Sequence, residues 1–154
     1  MPNEVQHIQW ALHNLDVIVY LLAEPTYCDW TATVSFYTAL HIVDAVLFAQ
    51  ETSPDRRHGF SHDQRRRTLK KSAKYQELYR YYHNLHKHSE VSRNLKLSHG
   101  KAMFFQQYMT WEEVKSVLLR QQLTPLMLEA AKLLGEQSAN DLKDATASLA
   151  KSCN

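Results

Sequence analysis

The chain has 154 residues, enough for one domain with a real core and too few to expect two. A formal net charge of +2 singles out no class of partner, and two cysteines far apart in sequence, Cys28 and Cys153, make no disulfide framework and read as the reduced thiols of a cytoplasmic protein. Only three glycines occur, Gly59, Gly100 and Gly135, each where a helix could end or a loop turn, and so few breakers among long periodic stretches argue for an all-α fold.

The first helix is predicted from about Asn3 to Ala23. Val5, Ile8, Leu12, Leu15, Val19 and Leu22 alternate steps of three and four and draw one apolar stripe. Glu24-Pro25 ends it, because the residue before a proline is pushed out of the α region. A second helix follows from about Asp29 to Glu51, with apolar residues most of the way round, from Trp30, Val34 and Phe36 to Val46, Leu47 and Phe48. Such a helix is either central or packed on its own domain at one face and on a partner at another, so a homodimer is expected. Ser53-Pro54-Asp55 through Gly59 reads as an exposed loop.

Ser61-His62-Asp63-Gln64 is a capping box that starts a third helix, with Leu69, Ala73, Tyr79, Tyr82 and Leu85 on its apolar face. This helix should continue to about Arg93, and Asn94 to Gly100 looks like a break. Thr110-Trp111-Glu112-Glu113, a second capping box, opens a fourth helix, which Thr124-Pro125 either kinks or restarts with Thr124 as cap, and Gly135 should end it. The bundle then occupies residues 1–136, leaving 137–154 as a polar, alanine-rich tail or a loosely attached short helix. The expected architecture is an antiparallel up-and-down bundle of four to five helices. No signal peptide is expected, and the most apolar runs, Val17 to Ala23 and Ala45 to Ala49, are too short to span a bilayer, so no membrane partner is expected.

Charge is concentrated where the net value hides it. From Arg65, Arg66 and Arg67 through Lys70, Lys74, Arg80 and Lys87 to Lys101, basic residues follow one another along the third helix and just beyond, interleaved with five histidines and four tyrosines. Such a strip suits phosphate contacts and base stacking, although a solvated helix face with core tyrosines would read the same way.

Imidazole is the side chain best suited to acid–base work near neutral pH, and guanidinium can hold a phosphate with two hydrogen bonds. Together they can cleave RNA without a metal or any other cofactor. The spacing to seek is an arginine a few residues before a histidine at a helix end. Arg56 or Arg57 with His62, Arg80 with His86, and Arg93 with His99 all offer it. On a single helix Arg80 and His86 would stand about 120° apart in projection and roughly 9 Å apart along the axis, so they should not converge. Arg93-Asn94-Leu95-Lys96-Leu97-Ser98-His99 spans the expected break, which could turn Arg93 and His99 toward one site. Arg65 or Lys96 would then hold the RNA backbone. His41 and Asp44 share a helix face and could ligate a metal with His13 or His86, but a buried His–Asp hydrogen bond is the expected arrangement, and no metal site is assigned.

Several strings together resemble the HEPN superfamily (higher eukaryotes and prokaryotes nucleotide-binding), particularly its compact stand-alone bacterial members. They are His13-Asn14; Asp29-Trp30-Thr31-Ala32-Thr33-Val34 with Phe36-Tyr37-Thr38-Ala39-Leu40-His41; Asp44-Ala45; Ser61-His62-Asp63-Gln64-Arg65; Tyr75-Gln76-Glu77-Leu78-Tyr79; and then Ser89 and Arg93. The resemblance covers roughly residues 5 to 95. It implies a helical bundle, usually a homodimer, tied to RNA metabolism, toxin–antitoxin pairs or defence. Active members carry an arginine, commonly a polar residue after it, and a histidine five to seven positions on; Arg93, Asn94 and His99 match. Compact members often have an aromatic residue where this chain has Asn94, and Leu95 to Thr110 has no counterpart. Three functions stay open: a metal-independent ribonuclease of toxin or defence type, a non-catalytic module binding RNA or nucleotides through residues such as His62, Arg65 and Lys96, and a partner-binding dimer with a nucleotidyltransferase-type antitoxin.

Overall fold

The structure, a computed structural model, describes residues 3–51, 60–99 and 103–154; among these, the side chains of 95–99 and 103–104 lie outside the description. Every regular element among the described residues is helical: α1 (Glu4–Leu21), α2 (Cys28–Gln50), α3 (His62–Lys71), α4 (Gln76–His99), α5 (Met103–Tyr108), α6 (Trp111–Glu113), a π-helical stretch (Val114–Leu123), α7 (Thr124–Ala131) and α8 (Glu136–Ser152). Short 3-10 turns stand at Pro25–Tyr27 and Ala73–Tyr75.

At the centre is α2. Helix α1 lies along it, α4 takes another side, and the π-helical stretch, α7 and α5 complete the enclosure. Phe36, Ala39, Ile42, Val43, Val46 and Leu47 are all buried. The hydroxyls inside it return to the helix's own carbonyls, Thr33 to Asp29 at 3.0 Å and Thr38 to Val34 at 2.8 Å, so they enter the core with their hydrogen bonds made. The short apolar runs of the sequence belong here to longer helices. Pro25–Gln50 is long and apolar enough by length and composition to cross a membrane, yet 67% of its most apolar window is buried inside the protein. Burial within one chain accounts for most of the apolar circumference of α2, while Trp30 and Tyr37 stay exposed.

Several sequence expectations need correcting. In α1 the inward stripe is His7, Ile8, Ala11, Leu15 and Ile18, whereas Val5 and Val19 are exposed. An aliphatic-only count skipped His7 and Ala11 and so rotated the face. The third predicted helix is two: Ser72 is extended, and α3 and α4 fold back on one another around Leu69, Tyr75 and Leu78. Serine competes for backbone hydrogen bonds and favours such junctions, and Lys70 and Lys71 before it suit a helix C-terminus.

Beyond Arg93 the helix does not break but runs on to His99. The polar tail is a 17-residue helix, α8, packed on α7 and α1, with Leu142, Leu149 and Cys153 buried. Gly135 starts α8 rather than ending the helix before it, and its N–H donates to the Glu4 carboxylate at 3.1 Å. Thr124 is not a cap: it is helical, and its N–H reaches back five residues to the Leu119 carbonyl before Pro125, which needs no acceptor, follows.

Candidate functional site

The α3–α4 hairpin frames a cleft. Ser61 accepts from the Gln64 amide at 3.2 Å, while the Gln64 side chain accepts from the Ser61 amide at 2.9 Å. This capping box sets His62 as the first helical residue, facing the middle of α4. Behind it Arg65 turns inward, only 5% exposed, and donates to both Asp44 oxygens, at 2.6 and 2.9 Å, and to the Phe60 carbonyl at 2.8 Å. Burial pushes the Tyr82 phenol up, against the opposing pull of Arg65, so it keeps its proton. Its hydroxyl stands 3.5 Å from His62 Nδ1, at the long end of hydrogen-bond range.

The cleft itself is a cavity of about 270 Å³, with Tyr79 and Tyr82 in its wall. The His62 and His86 rings stand 4.6 Å apart, and His86 packs on Phe36 of α2 at 5.0 Å. His83 stacks on Tyr79 at 5.5 Å. Burial lowers the His86 pKa, outweighing the neighbouring Glu90, and burial with Lys87, Lys70 and Arg66 lowers that of His83. Both rings are thus neutral at pH 7 and can donate or accept. Arg66 and Lys87 are exposed at the rim, and Glu90, 3.7 Å from His86 Nε2, is the one carboxylate among the described lining residues.

The sequence candidates fare unequally. His62 lies in the cleft. Arg65 does not hold a backbone phosphate, because its side chain is buried and committed to Asp44. Arg93 is half-buried, and its Nε has no partner among the described residues. It shares a face of α4 with His86 and Glu90, and its charge contributes to lowering the His86 pKa. Asn94 is exposed. The side chains of Lys96 and His99 lie outside the described residues. On the continuous helix, Arg93 and His99 stand about 120° apart in projection and roughly 9 Å apart along the axis. Arg80 pairs with Glu77 and not with His86. Arg56 and Arg57 lie outside the described residues.

Sequence reasoning paired Asp44 with His41, but the carboxylate belongs to Arg65. The half-buried His41 instead meets His7 of α1, Nδ1 to Nδ1, at 3.2 Å. Nothing in the sequence pairs His7 with His41, because a polar residue in the first turns of a helix carries no mark of the helix it faces. This second pair is walled by Phe48, stacked on His7 at 5.3 Å, and by Trp10. Burial lowers both pKa values, against the pull of Asp44. Among the described residues no three His, Cys, Asp or Glu side chains gather as metal ligands. His83, Lys87 and Glu90 were legible only as part of the basic strip; they share a face of α4 and line a cleft once α3 folds onto it at Ser72.

Comparison with protein-family models, curated proteins and solved structures finds no match to this chain.

Proposed function

We propose that the chain is an RNA-associated helical protein whose α3–α4 cleft holds a phosphate of a single strand. The observation that carries this reading is the facing pair His62 and His86, 4.6 Å apart, with Arg66 and Lys87 at the rim. Imidazole and guanidinium donors around a small cavity match an acceptor-rich anion, and the cavity is at the small end of ligand-sized pockets, too narrow for a duplex. The HEPN resemblance points to the same ligand class. Fluorescence anisotropy with a labelled single-stranded RNA tests it. Arg66→Ala with Lys87→Ala should weaken binding at least tenfold and lower the log–log salt slope by about 1.4, since each phosphate contact on a single strand contributes about 0.7. Unchanged affinity and slope would remove the cleft from consideration.

A second reading is metal-independent RNA cleavage, favoured by two imidazoles facing one another, since one in its neutral form can take the 2′-hydroxyl proton and the other in its protonated form can give a proton to the leaving oxygen. Chelator-resistant cleavage leaving 2′,3′-cyclic phosphate ends would mark it. His62→Ala then abolishes activity if the cleft is catalytic, whereas His99→Ala or Arg93→Ala does so, and His62→Ala spares it, if the Arg93, Asn94 and His99 set is. The resemblance extends both readings to a cytoplasmic homodimer, an up-and-down bundle, beside a nucleotidyltransferase-type antitoxin. Exposed Trp10 and Tyr37 offer a face for the dimer, and light scattering at micromolar concentration decides it.

A further inference from the structure

The cleft's hydrogen-bonding inventory is lopsided. Arg66 and Lys87 can only donate, and the His62 ring can donate from one of its nitrogens. Among the described lining residues Glu90 stands alone as an acceptor that cannot donate, one helical turn from His86 on the same face of α4, with its side chain half exposed into the cavity. A phosphate offers nothing to a carboxylate except repulsion. Glu90 therefore works against a ligand that is only an anion, and it is matched by one that carries a hydroxyl a few ångströms from its phosphate. In a nucleic acid that group is the ribose 2′-hydroxyl, which deoxyribose lacks.

Resting on the cleft reading above, we infer that Glu90 is a specificity residue that accepts from a ribose 2′-hydroxyl and so makes the cleft select RNA over DNA of the same sequence. The phosphate lies among His62, Arg66 and Lys87, and the sugar lies toward Glu90. With RNA the carboxylate gains a hydrogen bond to a charged acceptor, and with DNA it is left beside a phosphate with no donor to meet it. A hydrogen bond to a charged group at a partly exposed site corresponds to about tenfold in affinity.

The test titrates the full chain with a mixed-sequence single-stranded RNA decamer and with its DNA counterpart, both 5′-labelled. Wild type should bind the RNA about tenfold more tightly. Glu90→Ala should bind the two equally, by losing affinity for RNA while holding or gaining affinity for DNA. Glu90→Gln, which keeps an acceptor oxygen and drops the charge, should bind both more tightly and retain part of the preference. Circular dichroism should show both variants folded, since the side chain is on the surface. A wild type without preference, or a Glu90→Ala that keeps it, overturns the role of Glu90 and leaves the cleft standing. Neither strand binding, or binding indifferent to Arg66→Ala with Lys87→Ala, overturns the cleft reading itself.

Discussion

Two histidine pairs lie on different sides of α2, and packing alone separates what they can do. His7 and His41 meet nitrogen to nitrogen at 3.2 Å between the two helices that share the broadest contact, walled by Phe48 and Trp10. Each engages the Nδ1 of the other. His62 and His86 come as close ring to ring, but at the lip of a hairpin with cations beside them and a cavity in front. The same side chain is glue where two long helices close over it and a tool where a short helix leaves it ajar. The Asp44–Arg65 bridge acts electrostatically on the first pair, Asp44 raising and Arg65 lowering both of its pKa values.

The harshest way to break this contrast is Arg65→Ala. It strands the Asp44 carboxylate, 5% exposed, without its partner, and removing one member of a buried pair costs about 3–5 kcal/mol. Urea denaturation should show that loss, and replacing both residues with apolar ones of similar size should recover most of it.

Next in size is an acid effect to which the closed pair contributes. The folded-state pKa values of His7 and His41 both lie below the ordinary 6.5, so the neutral forms are favoured in the fold. The stability they contribute is fully present above pH 6.5 and is lost as the pH falls through the depressed values. His41→Gln should flatten the loss measured by thermal melts below pH 6.5, while costing on the order of 1 kcal/mol at pH 7.5 for the broken hydrogen bond. His83, His86 and His88 are lowered too, with burial the leading cause, and they keep part of the slope. An unchanged pH profile would mean the closed pair is not where acid acts.

The smallest effect on stability is expected at the open pair. His62→Ala removes an exposed side chain and should shift the urea midpoint by no more than about 0.5 kcal/mol, yet it should weaken RNA binding about tenfold. If His62→Ala destabilises as much as His41→Gln, the two pairs are alike and the distinction drawn here dissolves.

The helical class was legible in composition and periodicity, and the capping boxes at Ser61 and Thr110 stand where their side chains put them. What periodicity could not resolve was continuity. Ser72 ends a helix without glycine or proline, and Asn94 to His99 continues one despite a polar run. Both errors bear on the site. The missed break hid the cleft, since His62 and His86 look distant on one unbroken rod. The expected break brought Arg93 toward His99, whereas Arg93 shares its helix face with His86. His62 alone was legible as a site residue, because its cap fixed it at a helix start.

The π-helical stretch Val114–Leu123 also sets the phase of everything after it. A residue gained or lost there turns the following helix by about 100° around its own axis. Leu126, Met127 and Ala130 would swing away from α2 and α4, and α8, seated on α7, would swing with them. Length in this segment is therefore less negotiable than sequence. A conservative swap inside it can be absorbed, but a single codon deleted would put the last fifth of the protein out of step with the rest.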